Sequence, residues 1–129
     1  MGPIMVGPSS SHTAGALKIA KYARQKLGSQ PVYTEIILYN SFAKTYKGHG
    51  TDVALIGGIL DFEADDLRIP SALLIAKETG INFNFILEIQ ENKHPNTVKL
   101  TLNDAFRKLE VEGKSIGGGS FKIISEKWL

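Results

Sequence analysis

The sequence contains no cysteine, which excludes a disulfide framework, a thiol nucleophile, and any iron–sulfur or thiolate-ligated zinc site built by this chain alone. No stretch approaches the roughly 20 apolar residues that a membrane-spanning helix requires. The opening Met1-Gly2-Pro3-Ile4-Met5-Val6-Gly7-Pro8 has neither a basic start nor an apolar run long enough for a secretory signal. Lysines and arginines are scattered, and no run of them is interleaved with aromatics, so the electrostatic footprint of a nucleic-acid binder is missing. There is no internal repeat and no low-complexity linker. The expectation is a cytoplasmic protein with neither nucleic acid nor membrane as a partner, whose metal chemistry, if any, is borrowed from another polypeptide.

What is present is an ordinary globular balance. The chain has 129 residues, of which 43% are apolar and 22% charged, with a formal charge of +2. One domain spanning residues 1–129 is expected, burying about two-thirds of the surface its unfolded form exposes. Ser9-Ser10-Ser11 precede Ala16, Leu17, Ala20, Ala23 and Leu27 at helical spacing, with Gly28 behind them. Residues 32–39 alternate as a strand, with Val32, Thr34, Ile36 and Leu38 on one face. A glycine-punctuated segment leads to an apolar helix over 53–60, and Pro70 suits the start of a short helix with Leu73, Leu74 and Ala76 inside and Gly80 at its end. Strands are expected over 81–89, with Ile81, Phe83, Phe85, Leu87 and Ile89 together, and over 97–102, 109–116 and 121–125. The resulting fold class is α+β: a single domain with about three helices and a mixed, mostly antiparallel sheet.

Two constellations carry chemistry. Gly7-Pro8-Ser9-Ser10-Ser11-His12-Thr13-Ala14-Gly15 is a hydroxyl-dense turn entering a helix, where unpaired backbone N–H groups and the positive end of the helix dipole favour an anion. The competing reading is one serine as an ordinary N-cap and the others as solvated turn residues. The second runs from Ser41 to Asp52 and gathers Lys44, His49 and Asp52 in one loop, with Gly48 and Gly50 flanking His49. Charges of both signs suit an amino acid, which carries an ammonium and a carboxylate, and no P-loop lysine spacing is present. The competing reading is Thr51 as an N-cap, Asp52 favourable in a first turn, and His49 merely exposed.

Weaker signals remain. His94-Pro95-Asn96-Thr97 reads first as a turn between strands, Gly117-Gly118-Gly119 as a bulge or turn, and Asp65-Asp66 beside Arg68 as a solvated acidic turn. The three histidines lack the spacing of a zinc motif, so no metal ligands are assigned.

Taken together, Gly7 to Gly15, Phe42 to Asp52, His94 to Thr97 and Ser115-Ile116-Gly117-Gly118-Gly119 resemble, in order, the β chain of bacterial iron–sulfur L-serine dehydratases. The resemblance implies a lyase, L-serine ammonia-lyase, in which L-serine loses water and then ammonia to give pyruvate, a step in amino-acid catabolism and gluconeogenesis. It implies a 4Fe–4S cluster in place of pyridoxal phosphate, ligated by the cysteines of a partner α chain in a heterodimer, so this chain would be inactive alone. By the same resemblance His12 and His49 are the catalytic candidates. Ser9, Ser10, Ser11, Thr13, Lys44, Thr51, Asp52, His94 and Asn96 are the candidates for substrate binding. L-serine and the α chain are the expected partners, and homo-oligomerisation is left open.

Asn40 stands where the family typically has glycine, and the regulatory ACT domain of many β chains is absent from these 129 residues. The fold is also similar to the allosteric substrate-binding domain of phosphoglycerate dehydrogenases. The alternative is therefore a non-catalytic anion- or substrate-binding regulatory module, or a purely structural domain.

Overall fold

A computed structural model describes residues 11–47 and 50–129, with Ser11 described by its backbone alone. The elements in chain order are α1 (Ser11–Leu27), β1 (Tyr33–Tyr39), α2 (Asn40–Thr45), α3 (Thr51–Ile59), a 3-10 turn (Ile69–Ser71), α4 (Ala72–Glu78), β2 (Asn82–Glu88), β3 (Thr97–Asn103), β4 (Lys108–Gly117) and β5 (Ser120–Trp128). The strands form one sheet in the order β2-β1-β3-β4-β5. Strands β1 and β2 are parallel, and every other pair is antiparallel. The β1-to-β2 crossover accommodates α2, α3 and α4, as a parallel connection must.

Burial follows the two periodicities in the sequence. Thr34, Ile36 and Leu38 of β1, Val98, Leu100 and Leu102 of β3, and Leu109 and Val111 of β4 are fully buried on one face of the sheet. They meet Ala16, Ile19, Ala20, Ala23 and Leu27 of α1 and Leu55, Ile56 and Ile59 of α3 in one core. The alanines bring the α1 backbone close to the sheet, and each fully buried large aliphatic side chain contributes about 1.5–3 kcal/mol. The opposite face carries Glu35, Ile37, Lys99, Thr101 and Glu110, none of them buried. The architecture is two layers, helices on one side of a sheet whose other side is open except at the end where Tyr39, Thr97 and Glu112 are buried.

The β4–β5 hairpin explains the triple glycine. Gly117 pairs with Ser120, and the two residues between them, Gly118 and Gly119, have φ of 62° and 78°. A two-residue turn with both central φ positive matches the twist of the strands it joins, and glycine adopts it without a Cβ penalty.

Several expectations change. Four α-helices are present among the described residues, consistent with the α+β expectation of about three; the addition is the short helix α2 over residues 40–45, which the sequence showed only as loop. Six residues are too few for a hydrophobic period to register. Leu74 was expected inside and is 61% exposed, and Leu87 and Ile89 are 49% and 61% exposed. Strand β2 lies at the edge of the sheet, where Tyr46, just beyond α2, packs on Phe85, and the end of its apolar face is left in water. Thr51 is the first helical residue of α3 and not its cap; Gly50 takes that position with φ 73°.

Candidate active site

The topology gathers the polar motifs at one end of the sheet. Gly58 of α3 lies against Leu17, Ala20 and Lys21 of α1. Lys21 Nζ donates to Asp61 Oδ1 at 3.0 Å just beyond α3. The two helices therefore run side by side in the same direction, and the start of α3 at Thr51 lies toward the start of α1. Strands β1 and β2 rise toward that end and β3 departs from it. The β4–β5 turn closes there, so the 89–96 loop, α2 and Ser115 all share it.

His12, half-buried in the first turn of α1, places Nδ1 3.2 Å from both the carbonyl oxygen and Oγ of Ser115. Ser115 is fully buried, on the inward face of β4. Its N–H donates to Asn96 O at 3.0 Å. The Asn96 N–H in turn donates to His94 Nδ1 at 3.1 Å. An Nδ1 that accepts leaves the neutral His94 ring with its proton on Nε2, so His94 presents a donor. Burial pushes the His94 pKa below its ordinary value, and the charges of Lys114 and His12 push it the same way.

The loop carrying His94 is tied down by Asn40. This residue has φ 52°, in the left-handed region where glycine is favoured and asparagine is among the best-tolerated substitutes. Its Nδ2 donates to the carbonyls of Gln90 at 2.8 Å and Lys93 at 3.0 Å, and its Oδ1 accepts from Gln90 N–H at 2.8 Å. The position where the resemblance led one to expect glycine thus keeps the conformation and adds three hydrogen bonds.

Among the other expected site residues, Thr13 and Thr51 are buried. Asp52 is half-buried and accepts from Val53 N–H through Oδ1 at 2.8 Å. Asn96 is half-buried, and Lys44 is exposed in the last turn of α2. Ser9, Ser10, His49 and the side chain of Ser11 lie outside the described residues. Among the described residues no group of three or more His, Cys, Asp or Glu side chains is placed to hold a metal ion.

Sequence reasoning assigned no site role to Ser115 or Asn40, although both were noted, and showed no sign of a basic cavity. The cavity, of about 450 Å³, is lined by Lys93, His94, Thr97, Glu112, Lys114 and Lys122 together with neighbouring residues. Lys93 Nζ lies 2.8 Å from Glu112 Oε2. Ser115 did leave a signal: a hydroxyl at the inward position that follows Leu109, Val111 and Gly113 interrupts an apolar face.

These features define a two-layer α+β domain with histidines, hydroxyls and helix starts collected at one end of its sheet. The family model described as serine dehydratase beta chain matches residues 1–80. The chain is 52% identical over 123 residues to the Bacillus subtilis protein named "Probable L-serine dehydratase, beta chain", covering 95% of this chain and 56% of that one. It is 51% identical over 127 residues to the L-serine dehydratase beta chain of Peptoniphilus asaccharolyticus, covering 97% and 57%. It is also 36% identical over 147 residues to the L-serine dehydratase of Helicobacter pylori, covering 98% of this chain and 32% of that protein. This chain belongs to the serine dehydratase beta-chain family. It spans a little over half the length of the two beta chains.

Proposed function

We propose that this chain is the β part of an L-serine dehydratase, a cytoplasmic lyase that converts L-serine to pyruvate and ammonia in amino-acid catabolism and gluconeogenesis, acting as a heterodimer with an iron–sulfur α chain. The observation that carries this reading is the convergence at one sheet end: His12 at the start of a 17-residue helix, bonded to Ser115 and linked through Asn96 to His94.

The sequence has no cysteine, so this chain does not fit as the holder of a 4Fe–4S cluster. Its thiolates would come from the α chain. What this chain supplies is binding and proton transfer. The start of α1, with Ser9, Ser10, Ser11 and Thr13 as its hydroxyl residues, suits the substrate carboxylate by the helix dipole, with Lys44 adding positive charge. His94, through Nε2–H, and Asn96 add donors, while Thr51 and Asp52 shape the pocket and suit the ammonium. Loss of the α-proton requires a base within hydrogen-bonding reach, and His12 and His49 are the two candidates.

One observation favours a second reading. The cavity beside His94 has three lysines, Lys93, Lys114 and Lys122, against a single Glu112. That composition also suits an anion-sensing module with no chemistry, like the domain of phosphoglycerate dehydrogenases noted above.

The test is to combine this chain with the α chain from the same source under anaerobic conditions and to assay pyruvate from L-serine beside each component alone. Turnover by the complex only is expected, with His12→Ala and His49→Ala each tested for a loss of about 10²–10⁴-fold, the usual range for a general acid or base. A stable complex with an intact cluster and no turnover would overturn the enzyme reading in favour of the binding module.

A further inference from the structure

We propose that Ser115 is the positioning residue of His12: its carbonyl and hydroxyl hold the imidazole as the Nδ1–H tautomer and leave Nε2 as the basic nitrogen. The catalytic consequence rests on the reading of this chain as the β part of a serine dehydratase; the tautomer does not.

His12 Nδ1 is 3.2 Å from two oxygens of the same residue. A carbonyl oxygen only accepts. An unprotonated Nδ1 at that distance would set a lone pair against a lone pair, whereas an Nδ1–H can be shared between carbonyl and hydroxyl. Ser115 is fully buried, so its hydroxyl cannot turn to water for a substitute partner, and a buried polar group left unpaired is costly. Its place is fixed from both sides. The pairing of β4 with β3 and β5 sets the backbone. The first turn of α1 reaches it because Gly15 has no side chain: a Cβ there would overlap Ser115 Oγ and lie 2.9 Å from Ser120 O.

The same strand sets the other histidine in the opposite sense. The Ser115 N–H holds Asn96 O, and the Asn96 N–H holds His94 Nδ1. One ring is thereby kept with a basic Nε2 and the other with a protonated Nε2, which is the pairing of acceptor and donor that an elimination site needs.

The experiment is a long-range ¹H–¹⁵N correlation spectrum of the full chain labelled at histidine, near about pH 8, where ordinary imidazoles are neutral. His12 is expected as Nδ1–H and His94 as Nε2–H. In Ser115→Ala, which removes Oγ and keeps the carbonyl, the His12 ring signals are displaced and its Nδ1–H, held by one oxygen in place of two, exchanges faster, while the signals of His94, which depend on backbone groups that alanine retains, stay in place and report an intact fold. Gly15→Ala, which displaces the helix and removes no polar group, affects His12 in the same way. In the active complex Ser115→Ala lowers kcat by about 10- to 100-fold with little change in KM, the effect of losing one strong hydrogen bond to a group that becomes charged. An Nε2–H tautomer for His12 in the unmutated chain would overturn the proposal, as would a Ser115→Ala variant with unchanged His12 signals and unchanged kcat. A complex that makes no pyruvate before any mutation defeats the functional reading instead, and the spectrum still decides the tautomer.

Discussion

Gly15 and Ser115 are in contact across the helix–sheet interface, at a place where Gly15 has no room for a side chain. A Cβ on Gly15 would overlap Ser115 Oγ and approach the Ser120 carbonyl to 2.9 Å. Helix propensity alone favours alanine at such a position by about 1 kcal/mol, and overpacking against backbone costs about 1–3 kcal/mol. Gly15→Ala is therefore expected to lower stability despite its better propensity, read as a fall in the urea midpoint at unchanged slope.

Adjacent glycines in α3 should respond in opposite ways. A Cβ at Gly57 would come no closer than 3.5 Å to any neighbour, whereas one at Gly58 would overlap Leu17 O and lie 2.6 Å from Ala20 Cβ and 2.8 Å from Lys21 N. Gly57→Ala is expected to gain up to about 1 kcal/mol from propensity. Gly58→Ala is expected to lose about 1–3 kcal/mol by forcing α1 and α3 apart. Chemical unfolding of the two variants side by side checks the contrast, and equal effects would refute the packing of these helices.

Asn40 separates two roles of one residue. Asn40→Gly keeps the left-handed backbone at φ 52° and removes three hydrogen bonds to Gln90 and Lys93. Asn40→Ala removes the same bonds and adds a conformational cost of about 1–2 kcal/mol. Both should be less stable than the parent, alanine more so, and hydrogen exchange in the 89–96 loop should quicken in both. Exchange unchanged in Asn40→Gly would mean that the loop is held elsewhere.

His94 makes stability depend on pH with a definite sign. Its pKa lies below the ordinary 6.5, first because burial disfavours the imidazolium and then because Lys114 and His12 add like charge. As pH falls through about 6.5 the unfolded chain takes up this proton first, so stability declines, and the decline ends below the folded-state pKa. Lys114→Gln removes one like charge. The His94 titration, followed through its ring C–H signals by NMR, is expected to move upward but to stay below 6.5, because the larger cause, burial, persists. A downward move or none would show that Lys114 does not act on His94.

Much of the fold was legible in local pattern. The alternation in β1 placed Thr34, Ile36 and Leu38 on the buried face, and the spacing of Ala16, Leu17, Ala20, Ala23 and Leu27 marked the face of α1 that is buried. Leu87 and Ile89 misled because alternation shows which side chains share a face and not whether another layer covers it. The candidate site was legible as motifs, since His12, His94 and the glycine turn each stood out by residue type. Asn40 was visible only as a departure from a family pattern, and its purpose emerges from partners fifty residues away.

Residue order was therefore enough to set the strands, the main helices, the absence of a thiolate and the family, because these depend on periodicity and composition within a dozen residues or on residue identity alone. Tertiary structure alone decided that Ser115 would meet His12 across 103 positions of chain and that His94 would accept from Asn96 at the same end of the sheet. Such pairings are set by strand order and by the direction in which α1 crosses the sheet, and no local period encodes either.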